Sequence, residues 1–160
     1  MQPQSASSDI TPTEAERAAM RDAIDRALKT AHETGKSGIA ATVMRDGQII
    51  ATGENEVYLL SDPTKHAEMV AITRAAAVLQ KTDLSGCTII STLQPCAMCL
   101  SAIRFAKISR IIFAATQAHV PSKYFAFPHL HMDDFQNCAF EFAGGIDEAR
   151  VLHLYANGAE

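Results

Sequence analysis

The chain has 160 residues, 48% hydrophobic and 20% charged, with a net charge of −4, the composition of one globular domain that buries enough surface to need no disulfide staples. That balance argues against a protein tracking nucleic-acid backbone by bulk charge. No apolar run reaches the roughly 18 residues of a membrane span, and the polar start lacks the basic and apolar regions of a secretory signal, so the cytoplasm is the expected compartment.

Residues 1–10 are expected to be a disordered tail ahead of a single domain over 11–160. Thr11, Pro12 and Glu14 read as an N-cap, a first helical position and a capping-box partner. Met20, Ile24, Ala27, Leu28 and Ala31 then form one apolar helical stripe that stops at Gly35. Residues 39–44 and 48–52 flank Asp46-Gly47 and read as a β-hairpin. After Asp62-Pro63-Thr64, the Ala-rich stretch 66–80 predicts a buried helix.

A third strand follows over 87–93, and Pro95 opens a helix running to about Lys107. The fourth strand, 108–115, contains the continuous apolar run Ile111-Ile112-Phe113, which suits a strand covered on both faces. A short helix is predicted near 132–136, a last strand over 138–143 with Phe140 and Phe142 on one face, and a final helix over 146–156. The segments between strands two to five are long enough for crossovers, so these strands are expected to be parallel, with the first strand antiparallel beside them. Helices should cover both faces of this mixed sheet, an α/β fold of three α/β/α layers.

Four cysteines, Cys87, Cys96, Cys99 and Cys138, point to metal binding or catalysis rather than disulfides in a chain of this kind. Cys87 and Cys138 read as small core residues. Two short motifs carry chemistry: His66-Ala67-Glu68 at one helix start and Pro95-Cys96-Ala97-Met98-Cys99 at another. In this order they match the H-x-E…P-C-x-x-C pattern of zinc-dependent deaminases. His66, Cys96 and Cys99 supply three ligands for Zn2+, which leaves the fourth corner of a tetrahedron for water. Cys96 and Cys99, three apart, share a helix face near an N-terminus that favours thiolate. Glu68, two residues from His66, is placed to shuttle protons instead of binding the metal. Three other readings stay open: a redox Cys-x-x-Cys, a structural zinc site completed by Cys87, Cys138, His129 or His131, and an inactive deaminase fold used as an interaction module.

At these motifs the chain resembles the cytidine and deoxycytidylate deaminase superfamily. Gly53-Glu54-Asn55 and Asp62-Pro63-Thr64-Lys65-His66-Ala67-Glu68 resemble the branch of guanine deaminases and tRNA adenosine deaminases. The resemblance runs from about Gly38 to Ala115. It implies a five-stranded mixed sheet between helices, a homodimer, and a zinc-dependent hydrolase acting on a cyclic amidine C–N bond. It also implies substrate contacts by Asn55 and by the backbone around Ala67 and Cys96. Asn55 also reads as a residue ending the second strand. Gln94 stands where many members have Glu, a change that a backbone role tolerates. After the fourth strand the chain departs from the branch. The aromatic, His-rich stretch 120–135 reads either as a lid that stacks on a flat ring through Tyr124, Phe125, Phe127 and His129 or as a loop that folds Phe125 and Phe127 into the core.

Residues 117–160 hold Lys123 and Arg150 against Asp133, Asp134, Glu141, Asp147, Glu148 and Glu160. A surface of that sign repels an anticodon arm. The expected substrate is therefore a small nucleobase-like molecule, guanine or a related base first, with a nucleoside or tRNA adenosine as alternatives and no nucleic-acid partner.

Overall fold

The computed structural model describes residues 10–138 and 140–158, so the tail expected at 1–10 lies outside the described residues except for Ile10. Helix α1 (Glu14–Thr34) begins one Thr-x-x-Glu repeat later than expected. Thr13 is the N-cap: its Oγ1 accepts from the Glu16 N–H at 3.2 Å, and Glu16 Oε2 accepts from the Thr13 N–H at 2.7 Å. Thr11 and Glu14 satisfy the same pattern, but Glu16 is also gripped by Arg110, whose Nε and Nη2 lie 2.6 and 2.9 Å from its oxygens. That partner across the fold selects the second box. The buried face is Ala19, Met20, Ala23, Ile24 and Ala27, while Leu28 and Ala31 are only partly buried.

Strands β1 (Ala40–Arg45) and β2 (Gln48–Glu54) form the hairpin. Asp46 and Gly47 both have positive φ, 51° and 74°, the two-residue turn whose twist matches its strands. β3 (Cys87–Leu93), β4 (Arg110–Ala115) and β5 (Glu141–Ala143) complete a sheet of order β2-β1-β3-β4-β5. β1 is antiparallel to both β2 and β3, and β3, β4 and β5 pair in parallel. Four strands thus run one way and β1 alone runs the other, as the connection lengths predicted.

Two helices cover one face, α3 (Ala67–Leu79) and α4 (Ala97–Phe105). α1 and α5 (Leu152–Tyr155) cover the other. Side chains alternate across a strand, so Cys87, Ile89 and Ser91 of β3 face α3 and α4, while Thr88, Ile90 and Thr92 face α1 and α5. Accordingly Thr88 Oγ1 lies 3.4 Å from Glu16, and the Tyr155 hydroxyl lies 2.9 Å from Thr92 Oγ1.

Some elements are shorter than the sequence implied. The short helix expected near 132–136 is a 3-10 helix over Met132–Cys138, which takes the first residue expected of β5. The final helix is split into a 3-10 turn, Glu148–Arg150, and the four residues of α5. The four-residue α2 (Val57–Leu60) is too short to show a period. Among the described residues no helix is long and apolar enough to cross a membrane.

Gly53 fixes how α3 meets the sheet. A Cβ there would sit 2.7 Å from the Ala67 carbonyl oxygen and 2.7 Å from the Ala71 nitrogen. With no side chain in the way, the first turn of α3 rests on the backbone of β2.

Candidate metal centre and active site

The chemistry-bearing residues gather where β2, β3 and β4 end, the edge at which parallel α/β sheets place their sites. His66 is the N-cap of α3 and Cys96 the N-cap of α4, both in extended backbone, and neither side chain caps its own helix. α4 begins at Ala97, so Pro95 precedes the helix instead of opening it. Cys99 lies one turn further in, on the same face as Cys96. The two sulfurs are each 3.6 Å from His66 Nδ1, and the three ligand atoms lie within 4.8 Å of one another.

A tetrahedral Zn2+ with bonds of about 2.0–2.1 Å to nitrogen and about 2.3 Å to sulfur spans an N···S edge of about 3.6 Å. The donor set therefore fits zinc in both type and spacing. Among the described residues no fourth His, Cys, Asp or Glu joins it. Cys87 opens β3, at the far end of that strand, and His129 and His131 are exposed. The Cys138 side chain lies outside the described residues.

The thiols show why a cation belongs here. The Cys99 sulfhydryl, with help from the His66 ring, holds the Cys96 thiol down to about 4. The hydrogen bond with Cys96, burial and the nearby Glu68 push Cys99 far above the ordinary thiol range. Both sulfurs ligate a divalent ion as thiolates, so metal binding releases protons.

Glu68 sits in the first turn of α3, 4% exposed. Its Oε1 accepts from Ser91 Oγ at 3.0 Å, and its Oε2 lies 3.6 Å from Cys99 Sγ. Burial, followed by the charge on Cys96, raises its pKa above the ordinary carboxylate range, against opposing pulls from its own backbone N–H, His66 and Ser91. Ser91 was absent from the residues singled out in the sequence. Its signal was present, a hydroxyl on the same strand face as Cys87 and Ile89.

His66, Glu68 and Cys96 line a cavity of about 380 Å³, within the ordinary size for a small-molecule site, and Cys99 and Ser91 are buried behind them. Of the candidate substrate contacts, Asn55, Ala67, Tyr124 and Phe127 line it. Phe125 does not: it is buried in the cluster beneath α1 and α5. His129 does not either; it is exposed and stands edge-on to Phe127 at 6.2 Å between centroids. The aromatic segment is thus divided, with Tyr124 and Phe127 at the cavity and Phe125 in the core.

Asn55 lines the cavity and directly follows β2. Its Oδ1 accepts from the Val57 N–H at 3.0 Å, at the first residue of α2. Lys123, not anticipated, is the one lysine or arginine among the described residues that lines the cavity. Gln94 also lines the cavity, and its amide is engaged elsewhere. Its Oε1 accepts from the Gln117 N–H at 2.9 Å, and its Nε2 donates to Gln117 Oε1 at 3.2 Å.

Comparison with known proteins matches residues 13–115 to the zinc-binding region of cytidine and deoxycytidylate deaminases. A tRNA-specific adenosine deaminase of Aquifex aeolicus (strain VF5) is 41% identical over 90 residues, covering 56% of this chain and 60% of that protein. A guanine deaminase of Bacillus subtilis (strain 168) is 40% identical over 96 residues, covering 58% of this chain and 62% of that protein. A structure from a study of A-to-I editing by tRNA:A34 deaminases superposes with a TM-score of 0.72 at 30% identity, over 86% of this chain and 99% of that one. The chain spans 60–62% of the length of these two curated relatives.

Proposed function

This chain belongs to the cytidine and deoxycytidylate deaminase family, and from that premise we propose that it hydrolyses an exocyclic C–NH2 bond on a small nucleobase-like ring, guanine or a related base first. One water is consumed, the ring carbon gains an oxo group and ammonia leaves.

The observation that carries this reading is a buried carboxyl, Glu68, beside three clustered metal-ligand atoms, with Glu68, His66 and Cys96 lining a ring-sized cavity. A structural zinc site has no use for such a group. His66, Cys96 and Cys99 would hold zinc, which when bound would supply Lewis acidity to activate a water. Glu68 would take one proton from water and give it to the ring nitrogen, then carry water's second proton from the new hydroxyl to the amine, which leaves as ammonia. The Ser91 hydroxyl fixes one oxygen of Glu68 and leaves the other to face the reacting centre. Asn55 Nδ2 donates to a ring acceptor, and Phe127 offers a face or edge to the base.

Charge supports a small substrate. Arg150 is tied to Asp25 at 2.8 Å, which leaves Lys123 as the cation near the opening, while Asp133, Asp134 and Glu141 are exposed. A second reading, deamination of an adenosine in tRNA, is favoured by the tRNA:A34 deaminase structure, which aligns over nearly its whole length. Ammonia release from guanine, cytosine, adenine, their nucleosides and a tRNA anticodon stem-loop separates the two. Turnover of a free base supports the first reading, and turnover of the stem-loop alone replaces it with the second.

A further inference from the structure

The cavity wall formed by Ala126 and Phe127 is not part of the sheet. It belongs to the connection after β4, and three side-chain hydrogen bonds tie it to the strand ends. The amide of Gln94, which follows β3, pairs reciprocally with Gln117, which follows β4. Gln117 Nε2 then donates to the Pro128 carbonyl at 2.9 Å. Pro128 adjoins Phe127, so a continuous relay runs from the cavity floor through two amides to the wall. Gln94 is 5% exposed, and a buried amide left without partners is costly.

We propose that Gln94 and Gln117 are positioning residues that set the distance between the Phe127 wall and the metal centre, and so the size of ring the site accepts. This rests on the deaminase reading above. The polarity of the relay is fixed. Gln117 uses its oxygen toward Gln94 and its nitrogen toward Pro128, and Gln94 uses both ends on Gln117. A carboxylate at either position breaks it. Gln94→Glu places an acceptor against Gln117 Oε1; if Gln117 turns its amide to compensate, its oxygen then faces the Pro128 carbonyl. Gln117→Glu keeps both bonds to Gln94 but puts an acceptor against Pro128.

That last substitution separates wall positioning from a merely structural corner. If the amides only stabilise the corner between β3 and β4, Gln117→Glu behaves like wild type. If they position the wall, it behaves like Gln117→Ala. Three measurements follow on zinc-loaded protein: KM and kcat on the best substrate of the panel, hydrogen exchange of the 120–131 backbone, and thermal melting. The relay predicts that Gln117→Glu and Gln117→Ala both raise KM about tenfold at unchanged kcat, because stacking on the wall is the same in ground and transition states. Exchange should rise across 120–131 and stay unchanged in α3 and α4. In a Phe127→Ala background the further KM effect should vanish. Wild-type KM and exchange in Gln117→Glu overturn the proposal, as do effects that add fully to Phe127→Ala. If the wild-type protein turns over no compound in the panel, the deaminase reading fails, and the exchange data still judge the relay.

Discussion

Ser91 Oγ and Glu68 Oε1 lie 3.0 Å apart, the hydroxyl of a central strand donating to the carboxyl of the helix that starts with a metal ligand. The two residues come from elements on opposite sides of the same core layer, and the bond holds only while α3 stays seated on the sheet. Glu68→Gln is expected to keep the zinc and lose about a thousandfold in kcat, the scale of a general acid–base group. Ser91→Ala keeps Glu68 but frees its orientation, for a loss of about tenfold. Zinc content by metal analysis and kcat from ammonia release check both. Equal turnover in wild type and Glu68→Gln would show that Glu68 is not the proton carrier.

Zinc K-edge absorption on the loaded protein should show one nitrogen and two sulfurs from side chains, with the remaining scatterer a light atom from solvent. A third sulfur, for example from Cys138, contradicts a catalytic site. Cys96→Ala should lose the metal. Chelation should abolish turnover, zinc should restore it, and the melting temperature should fall on metal removal because the ion binds only the folded state.

Asn55 tests how the ring is read. Asn55→Asp retains an oxygen to accept from Val57 and loses the nitrogen donor, so melting should be unchanged while KM rises about tenfold. Asn55→Ala removes both and should also lower the melting temperature. An Asn55→Asp enzyme with wild-type KM would leave this residue only its turn.

Glu16 governs behaviour in acid. Despite burial, the Arg110 guanidinium and the Thr13 backbone and side chain hold its carboxyl below the ordinary range. A depressed folded-state pKa stabilises the fold above the unfolded value of about 4.3 and loses that contribution as pH falls through the folded value. Glu16→Gln should therefore cost about 2 kcal/mol at pH 7, and the gap between wild type and variant should narrow below about pH 4. Urea midpoints at pH 7 and in acid provide the comparison, and a gap independent of pH would contradict it.

Gly53→Ala should destabilise the protein by about 2 kcal/mol and reduce kcat as well, because the added methyl meets the backbone of α3 at Ala67 and Ala71. The helix must rise off β2, taking His66 and Glu68 with it. A variant with a wild-type denaturation midpoint would show that α3 moves freely at this contact.

Much of the fold was legible because periodicity and punctuation agree where the chain is regular. Asp46-Gly47 marked the hairpin, the 87–93 run marked β3 to the residue, and His66, Cys96 and Cys99 were visible as ligand types at helix starts. The helix starts themselves were misjudged where two patterns overlapped. Thr11 and Thr13 offer equivalent boxes, and only Arg110, almost a hundred residues away, decides between them. Beyond Ala115 a short helix near 132–136 was legible, but the three-residue 3-10 turns at 117–119 and 122–124 are too short to show a period. For that reason Phe125 and Phe127 looked alike in the sequence, although one fills the core and the other faces the cavity. Ser91 and the Gln94–Gln117 pair were missed for a related reason: their roles depend on partners that only the folded sheet brings near.

The single reversed strand divides the sheet's two rims. The cavity occupies the rim where β2, β3 and β4 finish and β1 begins. The Asp46–Gly47 turn and the Glu16–Arg110 ion pair occupy the other. The candidate site and this ion pair therefore sit at opposite poles, so a tag or fusion partner grafted onto the hairpin tip would lie at the rim away from the cavity.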